Sequence, residues 1–193
     1  MDDEITVKVV FVGSSGAGKT CIISKYVNGI FLASNSSTIG ASYFSKTVQF
    51  QGKTYNINIW DTAGQELYKS LAPMYYRGAV ASFVVYDAAN YQSFIEAESW
   101  IKELRTNAPQ TLIILCANKI DLVDERKVNY DEGFKLASEQ KAKYVETSAL
   151  SGAGVEQAFE IVFSYVSAQP NVVSEPVKPL VPATNTEEKK CEC

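Results

Sequence analysis

One stretch constrains the fold more than any other: Gly13-Ser14-Ser15-Gly16-Ala17-Gly18-Lys19-Thr20 fits the pattern G-x-x-x-x-G-K-[ST]. The hydrophobic run Val7 to Val12 precedes it, and a helix-like run from Lys19 to about Asn28 follows. A strand, a glycine-rich turn and a helix start place successive backbone N–H groups around one concave point, where the helix dipole also favours an anion. Gly13 and Gly18 allow backbone angles and close approaches that a Cβ would obstruct. Ser15, Gly16, Ala17, Gly18, Lys19, Thr20 and Cys21 are therefore candidate contacts to a nucleoside phosphate. Lys19 would reach the β- and γ-phosphates, and the Thr20 hydroxyl would ligate Mg²⁺. The plainer reading, a glycine-rich turn with an incidental lysine, does not account for the strand and helix on either side.

At 193 residues the chain suits one α/β domain with a modest extension. A hydrophobic fraction of 46% supplies a proper core, and a net charge of −4 argues against a nucleic-acid binder. No segment approaches the roughly 20 apolar residues of a membrane span. The acidic start Met1-Asp2-Asp3-Glu4 is unlike a secretory signal, so the expectation is a cytosolic chain. In that compartment the acceptor pattern Asn35-Ser36-Ser37 would go unglycosylated. With 0 histidines, histidine acid–base and metal chemistry is excluded. Of the 4 cysteines, Cys21 and Cys116 lie in apolar surroundings and are expected to be buried thiols, whereas Cys191 and Cys193 end a polar tail.

Alternation of strands and helices organises the rest. Phe44 to Phe50 and Thr54 to Trp60 read as a hairpin joined by Gln51-Gly52-Lys53, with Tyr55, Ile57 and Ile59 on one face and Asn56, Asn58 and Trp60 on the other. Further strands are expected near Ala81 to Tyr86, Thr111 to Ala117 and Lys143 to Glu146. Helical spacing runs over Tyr91 to Thr106 and Gly154 to Ser167, and Asn129 with Glu132 resembles a reciprocal N-cap. The pattern predicts a mostly parallel sheet covered on both faces, with an antiparallel hairpin at one edge and ligands at the carboxyl ends of the strands. Residues 31–40 read as a mobile surface loop. From about Gln169 the prolines Pro170, Pro176, Pro179 and Pro182 mark an extended linker.

Two stretches after predicted strands specify the nucleotide and the reaction. Asn118-Lys119-Ile120-Asp121 offers an amide and a carboxylate whose spacing suits the edge of guanine; adenine offers no donor pair to Asp121. The stem of Lys119 could pack along the base. In Asp61-Thr62-Ala63-Gly64-Gln65-Glu66, Asp61 would hold Mg²⁺, the Gly64 N–H would meet the γ-phosphate, and Gln65 would orient the attacking water. A strand-to-helix turn capped by Asp61 explains Asp61 and Gly64 but not Gln65.

Taken in order, the phosphate loop, Thr38, D-T-A-G-Q-E, N-K-x-D and Glu146-Thr147-Ser148-Ala149 resemble the motif set of Ras-like small GTPases, over roughly Thr6 to Ala168. Ile57-Asn58-Ile59-Trp60-Asp61, Tyr75-Tyr76-Arg77-Gly78-Ala79 and the Cys-Xaa-Cys end resemble the Rab type. Ile39-Gly40-Ala41-Ser42 and Ser70-Leu71-Ala72-Pro73-Met74 resemble its early-endosomal branch. The resemblance implies a P-loop NTPase small G domain over residues 1–168: α/β, six-stranded, mostly parallel with one antiparallel edge strand, helices on both faces. Residues 169–193 would form a flexible hypervariable tail.

The same resemblance implies a GTP/GDP switch with slow hydrolysis. Thr38 would ligate Mg²⁺ and touch the γ-phosphate in the GTP state, Phe31 would lean on guanine, the backbone at Ser148 and Ala149 would meet its O6, and Leu150 would be the lid over the base. Ile39, Tyr43, Trp60 and Tyr75 would form the effector surface; without the family match, those aromatics read as core or hairpin packing. Implied partners are an exchange factor, a GTPase-activating protein, a GDP-dissociation inhibitor or escort protein, and effectors, with the chain itself a monomer. The end is not a C-a-a-X box, whose cysteine position is Lys190; the resemblance implies that Cys191 and Cys193 would carry two geranylgeranyl groups. The implied location is the cytoplasmic face of endomembranes, early endosomes above all, in exchange with the cytosol. Three residues depart from the pattern: Leu150 where lysine is usual, Asn35 for an aromatic, and Tyr43 for phenylalanine. Competing readings are a nucleotide-binding scaffold without turnover, against which Gln65 and Thr38 speak, and a small-metabolite kinase, for which no basic lid insertion exists.

Overall fold

Strand β1 (Ile5–Val12) is inaccessible from Val7 onward, and its side chains divide by parity. Val7, Val9 and Phe11 enter one core while Val10 and Val12 enter the other, as a strand covered on both faces requires. The computed structural model describes residues 4–32, 38, 40–62 and 72–169. After β1 come α1 (Lys19–Asn28), β2 (Ala41–Phe50), β3 (Lys53–Thr62), α2 (Ala72–Tyr76), β4 (Ala81–Asp87) and α3 (Tyr91–Asn107). Then follow β5 (Leu112–Asn118), a short 3-10 turn at Val123–Glu125, α4 (Tyr130–Glu139), β6 (Lys143–Glu146) and α5 (Val155–Ala168).

The six strands lie in the order β2-β3-β1-β4-β5-β6, with β2 antiparallel to β3 at one edge and every other pairing parallel. The α/β expectation, including the antiparallel edge strand and the helices on both faces, is what the chain adopts. Ile22, Ile23 and Tyr26 of α1 and Ala158, Phe159 and Val162 of α5 build the first core. Tyr76 of α2, Ala97, Ile101 and Leu104 of α3 and Ala137 of α4 build the second. Strand order reverses at β1, so the segment after it opens at the sheet's topological switch point.

Local chemistry sets the element ends. Gly29 stops α1 in the left-handed conformation, φ 73°, its N–H donating to Lys25 O. The hairpin turns on Gln51 and Gly52, at φ 49° and 75°, and both strands run farther than their apolar alternation suggests, because ladder hydrogen bonds continue to Ala41↔Thr62. Asn129 caps α4 through a complete capping box with Glu132. The single helical turn α2 was not legible, being too short to carry a period.

Candidate functional site

Gly13 leaves β1 at φ 134°, and an added Cβ would stand 2.1 Å from Val85 O; no other residue fits there. Gly18 opens α1 at φ 91°, and its Cβ would lie 2.3 Å from Asn118 Nδ2. Between them Ser15 and Gly16 are exposed, while Ser14 and Ala17 are buried. Lys19 is 6% exposed, and its Nζ donates to Gly13 O at 2.8 Å and Ser14 O at 2.9 Å. Burial lowers its pKa to about 8, against the opposing pull of Asp61. The loop thus encloses a cation, near the start of a helix, in the place a phosphate would take.

The three residues expected to serve a metal meet. Thr20 Oγ1 donates to Asp61 Oδ2 at 2.6 Å, the Thr20 and Thr38 hydroxyls lie 3.0 Å apart, and Thr38 Oγ1 reaches the same carboxylate oxygen at 3.4 Å. Asp61 is fully buried, and its other oxygen, Oδ1, has no hydrogen-bond partner among the described residues. Burial raises the pKa of this carboxyl, while the Thr20 hydroxyl, the Lys19 charge and the Thr38 hydroxyl pull it down. A buried carboxylate oxygen left unmet requires a partner. Hard oxygen donors beside it match Mg²⁺ in chemistry, so the residues present fit that ion.

On the far side of the loop Asn118 is 1% exposed and acts as a clamp. Its Nδ2 donates to Ala17 O at 2.9 Å, and its Oδ1 accepts from Thr147 Oγ1 and from Ala149 N, each at 3.2 Å. One carboxamide therefore joins the phosphate loop, the end of β5 and the segment after β6. The sequence reading gave Asn118 the base edge alone; this bridging was invisible because its partners are remote in sequence. Lys119 adopts φ 64° and its ammonium pairs with Asp87 at 2.6 Å, a partner that the β4–β5 register places beside Asn118. Asp121 is exposed, its Oδ1 accepting from Ser148 Oγ at 2.5 Å. The Ser148 N–H is itself engaged by Ala153 O. Phe31 and Leu150, 40% and 55% exposed, stand open to solvent as covers of a ligand would.

Cys21 corrects one expectation. It is half-buried rather than buried: it packs at the margin of the first core, and its thiol donates to Leu32 O of the segment after α1 at 3.2 Å. Cys116 is fully buried, as expected. Tyr43, Trp60 and Tyr75 do come together, with ring centroids 5.4 Å and 5.7 Å apart in sequence order. Tyr43 remains 45% exposed and its hydroxyl donates to Asn58 Oδ1 at 2.7 Å, while the Lys8 ammonium sits 5.7 Å from the Trp60 ring. Ile39, Gly64, Gln65, Cys191 and Cys193 lie outside the described residues, as does Asn35.

A glycine loop around a buried lysine, beside hydroxyls gathered on a buried carboxylate, is an arrangement that fits a phosphate and a divalent cation, built on a mostly parallel sheet. The Ras family model matches residues 8–168. The chain is 43% identical to Ras-related protein Rab5 of Nicotiana tabacum over 170 residues, 87% of this chain and 85% of that relative. Ras-related protein Rab5A of Oryza sativa subsp. japonica is 44% identical over 153 residues, covering 79% and 75% of the two chains. Ras-related protein Rab11C of Lotus japonicus is 39% identical over 160 residues, covering 82% and 74%. The chain belongs to the Ras family, as a Rab-type small GTPase, and is a GTP-hydrolysing enzyme. Proteins of this family bind GTP and GDP, typically with Mg²⁺, and work through regulators and effectors.

Proposed function

We propose that this protein is a guanine-nucleotide switch that recruits effectors to membranes in vesicular traffic, on early endosomes. The observation that carries the reading is the convergence of Thr20, Thr38 and Asp61 with one buried carboxylate oxygen unmet. Thr20, Thr38 and Asp61 would hold Mg²⁺, which when bound neutralises charge on the phosphate oxygens. Thr38 belongs to the segment between α1 and β2, so its tie to Thr20 and Asp61 is a contact that loss of the γ-phosphate can release. Lys19 exchanges its two carbonyl partners for phosphate oxygens, and the amides from Ser15 to Cys21 cradle the rest.

Asp121 reads the donor edge of guanine, held by Ser148, while Ala149 and Leu150 line its O6 side and Phe31 covers the ring. Gln65 orients the attacking water, and Gly64 senses the γ-phosphate. Hydrolysis without help is slow; an activating protein that supplies an arginine adds a factor of about 10³–10⁵. Tyr43, Trp60 and Tyr75, together with Ile39, form the surface that effectors read. An exchange factor and a GDP-dissociation inhibitor or escort protein complete the cycle. Cys191 and Cys193 carry two geranylgeranyl groups, because two chains anchor stably where one is marginal. The early-endosomal placement draws on the resemblance of residues 39–42 and 70–74 and on relatives named Rab5.

The experiment is nucleotide identity and turnover on stripped protein. GDP, GTP and ATP affinities are measured with and without Mg²⁺, followed by single-turnover hydrolysis. Tight, Mg²⁺-dependent guanine binding with slow turnover is the expected result. Guanine binding with no turnover would replace the switch by a scaffold, and comparable ATP binding would overturn the base assignment.

A further inference from the structure

The phosphate loop is clamped from outside at both ends, and only one clamp belongs to a nucleotide motif. At its second half Asn118 holds Ala17 O. At its first half Ser14, a residue only 8% exposed, donates its hydroxyl to Glu96 Oε2 on α3. Glu96 belongs to no motif and lies 82 positions from Ser14. Its second oxygen, Oε1, accepts from Gln92 Nε2 at 3.3 Å, which holds the carboxylate from one turn earlier. The helix beneath is a rigid support: Ser93, Ala97, Trp100, Ile101 and Leu104 anchor its buried side.

We propose that Glu96 is a positioning residue of the phosphate loop, acting through Ser14 to hold the loop's first half against α3 and slow nucleotide release. This rests on the reading of residues 13–20 as the nucleotide site. The physical argument turns on what happens to Lys19. Its ammonium fastens Gly13 O and Ser14 O, but the phosphates compete for the same donor when nucleotide is present. The Ser14–Glu96 contact does not compete with them, so it can keep the first half in place with ligand bound. A loop pre-ordered in this way loses less entropy on binding. A hydrogen bond to a charged acceptor is also stronger than a neutral one. The carboxylate's own field works the other way, repelling phosphate, and the two effects predict opposite outcomes.

The test follows release of fluorescent GDP from the full chain in Mg²⁺, chased by unlabelled GDP. Glu96→Ala and Ser14→Ala are each expected to speed release about tenfold, equivalent to ~1.4 kcal/mol. The double variant is expected to be no faster than either single one, since both remove the same contact. Glu96→Gln keeps an acceptor for Ser14 and is expected to stay near the parent rate. Glu98→Ala, which breaks the Glu98–Lys102 pair on the same helix, controls for general weakening of α3 and is expected to leave release unchanged. The proposal is overturned by unchanged release in Glu96→Ala, by additive effects in the double variant, or by slower release in both Glu96 variants, which would mean that charge repulsion dominates. Should Glu96→Ala fail to fold, Ser14→Ala against Glu96→Gln carries the comparison. Failure of the parent chain to retain GDP at all is a different result and removes the nucleotide site itself.

Discussion

Thr20 and Asp61 stand 41 positions apart and share a 2.6 Å hydrogen bond, while Asp61 Oδ1 is buried with no hydrogen-bond partner among the described residues. Removing the carboxylate should therefore affect metal-dependent binding first. Asp61→Ala is expected to lower Mg²⁺-assisted GTP affinity by about 100-fold or more, as loss of even an outer partner costs 10–100-fold. Titrating Mg²⁺ at fixed GTP checks it, and an unshifted midpoint would remove Asp61 from the metal site. Gln65→Leu is expected to slow single-turnover hydrolysis by about 10² while GTP binding persists, the scale of a misplaced reactant. An unchanged rate would leave the water to another group. At Gly18 the argument is steric: Gly18→Ala drives a methyl into the Asn118 carboxamide, so both the loop clamp and nucleotide retention should fail together. Circular dichroism showing an intact fold with GDP lost is the expected pair of observations.

Elements differ in how much their own sequence decides. α4 is fastened by its capping box, away from the candidate site, so Asn129→Ala should lose about 1 kcal/mol. For a chain of this size that is a fall of about 2–4 °C in Tm, with GDP affinity unaltered. A fall in GDP affinity as well would mean that α4 communicates with the base-binding segments. The β2–β3 hairpin, by contrast, carries the exposed Tyr43 on one strand and Trp60 on the other, so its register at Tyr43↔Trp60 sets the aromatic surface directly. A one-residue slip would turn that surface inward.

Across the whole molecule, burial leaves a signature in the pH dependence of stability. Burial pushes the Cys116 thiol up to about 12 from 9.0. The phenols of Tyr26, Tyr86 and Tyr144 are likewise raised above 10.0, chiefly by burial. The unfolded chain releases these protons at lower pH than the folded one. Their contribution is thus complete below about pH 9 and is lost as the pH rises through the folded values. Lys8 and Lys19 are lowered by burial and act in the opposite sense, gaining stability as pH rises. With the acidic groups in the majority, Tm should fall between pH 9 and pH 11; a flat profile by calorimetry would show that the lysines cancel them.

The sequence by itself determined the periodic and the covalently contiguous features. Parity along Val7 to Val12, the helical spacing of α5, the Gly29 stop and the order of motifs after strands all depend on neighbours within a few positions, so they were legible. Even the strand count followed, because β1, β4 and β5 carry apolar runs and the hairpin is marked by alternation around Gln51-Gly52-Lys53. Tertiary structure alone decided which of those residues touch. It gave Asn118 a clamp on Ala17, paired Lys119 with Asp87, brought Cys21 to Leu32 and brought Glu96 to Ser14. Each of those contacts joins segments on different strands or helices, and a side chain's partner there is set by sheet order and helix rotation, which no local pattern encodes.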